Sequence, residues 1–177
     1  MPNPNPSSTP ARPLFIYGTL LSPRLLSVVL TGTSANAQLV LPLLAPASVE
    51  GFARRALNHK DYPAAVPSAG SRMHGYLLSP LTRSQRKKLD NFEGETYEPT
   101  SVTVHTVQGN SNSNTAADVT LLLPRPVQAD IYIWRGDPDQ VSQLPWDFEL
   151  FEKERLDDWL DIFEEMPDMA GDSDQEE

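Results

Sequence analysis

Four apolar residues, Leu14-Phe15-Ile16-Tyr17, end at Gly18 and give way within a few positions to a helical stripe. A run that short and that apolar, closed by glycine, predicts a buried strand entering a turn. Ser22 and Pro23 form an N-cap and first-helical-position pair, and Leu25, Leu26, Val29 and Leu30 share one face that stops before Gly32. The chain is thus committed early to a strand, a glycine turn and a helix.

A second helix is written at Thr82-Arg83-Ser84-Gln85, a capping box with Thr82 as N-cap. It should run about two turns and close at Gly94, which can take positive φ without steric cost. Glu93 then falls in the last turn, where the macrodipole disfavours a carboxylate by roughly 0.3–1 kcal/mol. The misplacement should raise its pKa, which suits a general base near neutral pH.

The remaining pattern predicts strands near Val49–Leu57, Met73–Leu78, Val102–His105, Val119–Leu123 and Ala129–Trp134. Gly75 in the third of the six strands implies a bulge or a close backbone approach. Residues 31–38 read as loop. Pro42 and Pro46 allow only edge or irregular strand over residues 39–49. Residues 61–67, with Pro63 and Pro67, should be extended or turning. Phe148, Phe151, Leu156, Trp159, Leu160 and Phe163 mark one face of a long amphipathic C-terminal helix. About six strands and three helices without strict alternation predict an α+β fold around a small, strongly curved sheet.

Residues 1–12, rich in proline and polar side chains, are expected to be disordered, the folded domain to span 13–163, and the acidic residues 164–177 to be a disordered tail. The Asn/Ser/Gly tract at 108–117 reads as a surface insertion.

Composition excludes much. The 177 residues include no cysteine, which removes disulfides, thiolate metal sites and a cysteine nucleophile. His59, His74 and His105 lack metal-ligand spacing, and no phosphate-cradling glycine motif or nucleophile elbow occurs. No apolar run is long enough to span a membrane, and no signal peptide pattern is present, so a cytoplasmic protein is expected. Of 24 acidic residues, 14 lie from Pro145 onward, leaving a nearly neutral body with no basic stripe for nucleic acid.

Two features remain to carry chemistry. A glycine turn at Gly18 exposes backbone amides that can hold a carboxylate or oxyanion, or it is a plain connector. Glu93 is either a base or a solvated helix-end residue. Tyr97 can line a pocket or staple its loop. Arg54 and Arg55 can pair with a substrate carboxylate or stand on a solvated strand edge.

Taken together, Phe15-Ile16-Tyr17-Gly18-Thr19-Leu20, Tyr62-Pro63-Ala64 with Val66-Pro67, His74-Gly75-Tyr76-Leu77, and Leu89-Asp90-Asn91-Phe92-Glu93-Gly94 followed by Tyr97 resemble the gamma-glutamylcyclotransferase-like superfamily. The resemblance is to its plant and fungal avirulence-induced-gene-like branch and covers residues 13 to about 160. It implies a small mixed β-barrel with flanking helices. It also implies that Tyr17, Gly18, Thr19, Leu20, Leu21 and Ser22 bind the glutamyl part of a substrate, with Tyr62 and Tyr97 beside them, and that Glu93 is the acid/base; on the same resemblance Tyr62 and Tyr132 line the pocket or pack in the core. The implied reaction releases 5-oxoproline and an amine from a gamma-glutamyl amine, dipeptide or isopeptide, with no metal or organic cofactor. The alternative is a non-catalytic module of the same fold that meets a protein partner through its acidic C-terminal region.

Overall fold

Ordered pairing begins at Pro10 in the computed structural model, which describes residues 10–106 and 125–165. Strand β1 (Pro10–Ala11) pairs antiparallel with β5 (Leu81–Thr82). Arg12 extends the attachment, reaching the Asp130 carboxylate at 3.0 Å and the Ser101 hydroxyl at 2.8 Å. Residues 10–12, expected within the disordered N-terminal stretch, are therefore part of the fold. Backbone pairing and one guanidinium hold them, and neither registers in composition. Residues 1–9, the 108–117 insertion, the strand expected at Val119–Leu123 and the acidic tail beyond residue 165 lie outside the described residues.

The predicted first strand is β2 (Leu14–Ile16). It lies between β4 (Pro63–Leu78), antiparallel, and β7 (Arg125–Trp134), parallel. The order continues through β6 (Tyr97–Thr106) and β3 (Leu44–Leu57), and pairing of β3 with β4 closes a five-stranded barrel. A sixth strand, β8 (Val141–Pro145), adds to the free edge of β3. The expected α+β barrel is the observed fold.

Strand alternation divides the core. Phe15 joins Ala47, Val49, Met73, Leu77, Val104, Ile131 and Ile133 in one buried cluster, the barrel filling. Leu14 and Ile16 face the other way, against a helical layer that includes Leu25, Leu26, Leu156 and Leu160. At Gly75 a Cβ would stand 2.2 Å from the Ile16 carbonyl oxygen and 2.9 Å from the Phe15 ring. The close approach expected from its sequence is thus required by the β2–β4 contact.

Strand β3 is longer and more regular than two prolines suggested. Pro46 is tolerated because it pairs with β4 on one side only, β6 joining from Ala47 onward. At Gly51, where φ is +85°, the register jumps from Glu50 opposite Arg72 to Phe52 opposite Pro67, and the hairpin bends. Residues 34–43, read as loop and irregular strand, instead form short helical turns around α2 (Ala37–Val40), with Pro42 in the first turn of the last one.

Helix α1 (Pro23–Thr31) follows its sequence signals, with the Ser22 hydroxyl accepting from the Leu25 amide and Gly32 left-handed at φ +85°. Helix α3 (Arg83–Glu93) has both halves of the capping box and runs three turns rather than two. The single C-terminal helix expected from periodicity is two, α4 (Phe148–Glu154) and α5 (Leu156–Glu164), broken at Arg155. The break lets Phe148 and Phe151 pack on Trp146 while Trp159 and Phe163 turn toward Phe92. Among the described residues no single helix is long and apolar enough to cross a membrane.

Candidate active site

Glu93 is the last residue of α3, and Gly94, with φ at +73°, turns the chain immediately after it. The preceding turn fixes the end of the helix. Asp90 accepts from Arg86 Nε at 2.9 Å and from the Tyr132 hydroxyl at 2.5 Å, and Arg86 Nη1 also holds Asp130 at 2.8 Å. Phe92 points the other way, onto Trp159 and Phe163. Alternation around the helix thus places Asp90 and Glu93 on one side and Phe92 on another.

Glu93 lines a small cavity with the end of β2 and the turn beyond it, Phe15 through Leu20. Tyr62, Pro63, Tyr97 and Tyr132 complete the wall, and the space of about 20 Å³ holds about one water. Burial of the Glu93 carboxyl pushes its pKa up to about 8, and the negative charge of Asp90 adds to the rise. The direction agrees with the sequence argument, but the leading cause differs. Desolvation, rather than the helix macrodipole, keeps this carboxyl protonated at neutral pH.

Three of the four tyrosines of the wall have hydroxyls engaged in hydrogen bonds. Tyr17 donates to the Tyr132 carbonyl at 2.6 Å and accepts from the Ala65 amide at 3.2 Å. Tyr97 donates to the Pro63 carbonyl at 2.6 Å. Burial raises the pKa of Tyr17, Tyr97 and Tyr132, so all three remain neutral phenols. The Tyr17 hydroxyl ties the end of β2 to β4 and β7, that of Tyr97 ties β6 to β4, and that of Tyr132 ties β7 to α3. The Thr19–Leu21 turn uses the amides of Leu21 and Ser22 for its own bonds and leaves the three before them outside that ladder. The amides of Gly18, Thr19 and Leu20, residues that line the cavity, take no part in the bonds of that turn.

Of the residues singled out in the sequence, Glu93, Tyr17, Gly18, Thr19, Leu20, Tyr62 and Tyr97 meet at this cavity, as does Tyr132. Leu21 and Ser22 do not. Leu21 faces a separate groove, because the tight turn rotates it away from Leu20, and Ser22 is buried with its hydroxyl capping α1. Sequence reasoning passed over Asp90. Its signal was spacing: Arg86 and Asp90 are four apart, Asp90 and Glu93 three apart, so one helical face carries all three.

Gly18, Tyr62 and Glu93 are the wall residues that are not fully buried, which locates the mouth of the cavity. Tyr62 is held edge-on between Tyr97 and Trp159. The residue before it, Asp61, anchors Trp159 Nε1 at 2.9 Å and Arg155 Nε at 3.1 Å. Asp61→Ala should leave a part-buried indole N–H unpaired and Arg155 held only through Asp158, costing about 1–3 kcal/mol. A urea titration reads this directly, and an unchanged midpoint would show that Asp61 does not secure α5.

A family model described as "Gamma-glutamyl cyclotransferase, AIG2-like" matches residues 14–153. AIG2-like protein A of Arabidopsis thaliana is 28% identical over 153 residues, covering 86% of this chain and 79% of its own length. Protein AIG2 C of the same plant is 25% identical, with the same two coverages of 86% and 79%. A solution structure of an Arabidopsis thaliana protein superposes with a TM-score of 0.57 at 24% identity, over 94% of this chain and 88% of that one. That structure shares the fold. With the matched model extending from the first residue of β2 into α4, the chain belongs to the gamma-glutamyl cyclotransferase, AIG2-like family.

Proposed function

We propose that the protein cyclises a gamma-glutamyl amine, dipeptide or isopeptide to 5-oxoproline, releasing the amine, with Glu93 as general acid and base. The observation that carries this reading is a desolvated carboxyl and the Gly18–Leu20 turn lining one cavity. Family membership supports the reaction type.

The chemistry needs little more. The substrate's α-ammonium titrates near 8, about where Glu93 does, so the proton passes between them at small cost. The freed amine attacks its own γ-carbonyl, and amides of the Gly18–Leu20 turn stabilise the oxyanion, a contribution of roughly 3–4 kcal/mol. Glu93 protonates the departing nitrogen as the C–N bond breaks and takes a proton from the ring nitrogen. The amine leaves as its ammonium form once that proton follows. Holding amine and carbonyl in contact contributes roughly 7–11 kcal/mol, and a positioned base about 10²–10⁴-fold.

A glutamyl group is far larger than one water, so the cavity has to widen at its mouth, where Gly18, Tyr62 and Glu93 lie, to admit substrate. Release of 5-oxoproline from a panel of gamma-glutamyl amino acids, amines and isopeptides tests the reading. Turnover of at least one member is expected. A folded, pure protein inert toward the whole panel would overturn it.

A further inference from the structure

Two polar contacts join helix α3 to strand β7 beside the Glu93 cavity. Arg86 and Asp90 stand four apart on one face of α3, and Asp130 and Tyr132 stand two apart on one face of β7. The pairs meet in order. Arg86 Nη1 reaches Asp130 Oδ2 at 2.8 Å, and the Tyr132 hydroxyl donates to Asp90 Oδ1 at 2.5 Å. Arg86 Nε donates to that same Asp90 oxygen at 2.9 Å, and Arg12 holds the other Asp130 oxygen at 3.0 Å. Charge therefore alternates from Arg12 through Asp130 and Arg86 to Asp90, where the row ends on a phenol. The Arg86 side chain is only 12% exposed, which sets this contact apart from the weak ion pairs of an open surface.

The end of the row is one helical turn from the candidate base. Asp90 and Glu93 are three apart on α3, close enough for their side chains to be neighbours, and Tyr132 lines the cavity with Glu93. The titratable groups around Glu93 are Tyr17 from β2, Tyr62 from the β3–β4 turn, Tyr97 from β6, Tyr132 from β7 and Asp90 from its own helix. Helix α5 presents Trp159 and Phe163 to this end of α3, and neither titrates. With four of the five groups phenols, the negative charge facing Glu93 is that of Asp90. A like charge one turn away opposes ionisation and adds to the effect of burial.

We propose that Asp90 is a positioning residue for the reaction: it docks the end of α3 on β7 through Tyr132 and Arg86, and its charge keeps the proton on Glu93 available for transfer. This inference rests on the cyclisation reading above.

Asp90→Asn separates charge from geometry. Both donors use Oδ1, so the amide oxygen of asparagine can keep both hydrogen bonds while the charge is lost. The protonated Glu93 carboxyl is followed directly by its carbonyl band in infrared spectra, with Glu93→Gln identifying that band. In Asp90→Asn the Glu93 titration should move down by roughly 0.5–1 pH unit, and the acidic limb of the kcat/KM profile should move with it. The alkaline limb, set by the substrate amine, should stay. Tyr132→Phe loses the hydroxyl but keeps the Asp90 charge, and should not lower the Glu93 titration. The double variant Arg86→Gln with Asp90→Asn removes the cation along with the anion, and serves with the same expected fall if Asp90→Asn does not fold. An unmoved titration, an equal fall in Tyr132→Phe, or a titration that moves while the acidic limb stays would each overturn the role of Asp90 and leave cyclisation standing. Absence of turnover by wild type across the substrate panel would sink cyclisation and the reaction role with it, whereas the infrared titration still decides whether Asp90 governs Glu93.

Discussion

Glu93→Gln should reduce 5-oxoproline release by at least 10²–10⁴-fold in a protein that folds normally, because an amide can neither take the ammonium proton nor return one to the leaving nitrogen. The same substitution should stabilise the protein at alkaline pH. Glu93 titrates at about 8 when folded, against 4.5 for an unperturbed glutamate. Between those values the unfolded chain releases a proton that the folded chain retains, so this group's contribution to stability falls as pH rises through the window. Its cost is absent below the unfolded pKa and complete above the folded one, and at 1.36 kcal/mol per pKa unit it is on the order of several kcal/mol. Urea midpoints for the two proteins should therefore nearly coincide at low pH and separate toward pH 8, with the variant the more stable. The wild-type pH–rate profile carries the same signature: kcat/KM should rise toward pH 8 and fall above it, as the one proton shared by Glu93 and the substrate amine is lost. Unaltered turnover in Glu93→Gln would remove this carboxyl from the mechanism.

Gly75→Ala should cost about 3 kcal/mol, the upper end for an overpacked site. The obstruction is the Ile16 carbonyl oxygen, 2.2 Å from where the methyl group would lie, and backbone cannot rotate aside as a side-chain end does. Since a domain of this size shifts its Tm by about 2–4 °C per kcal/mol, a fall near 10 °C is expected by calorimetry. Turnover per folded molecule should drop too, because the strand being displaced delivers Tyr17 and the amide turn. A Tm within 1–2 °C of wild type, under the roughly 10 °C expected, would mean that β2 and β4 can separate at little cost.

What the sequence disclosed about this fold was local. Ser22-Pro23, the Thr82–Gln85 capping box and Gly94 each act on backbone within one turn, and α1 and α3 lie where those residues place them. Pairings across long separations left no comparable trace. Nothing near Pro10 announces Leu81, and Arg155, a good helix former, gives no hint that the C-terminal helix breaks there. Pro42 and Pro46 misled for opposite reasons, one sitting in a helical turn and the other on a singly paired stretch of β3. At the candidate site, Glu93 and Gly18 could be named from sequence, and so could the direction of the Glu93 shift. Its cause could not, because desolvation depends on which tyrosines the barrel brings around the carboxyl. Leu21 and Ser22 were grouped with their neighbours because a motif is read as a string, whereas a tight turn sends successive side chains in different directions.

The amide turn after β2 has a bearing on heredity. Side-chain donors vanish with a single codon change, but a main-chain N–H is supplied by every residue except proline. Substitutions at Thr19 and Leu20 that fit their buried positions therefore leave the main-chain N–H groups in place, so long as Tyr17 keeps its two hydrogen bonds to β4 and β7 and the bend survives. Such a lineage can vary these two side chains within the limits of the core while the curve of the backbone is kept.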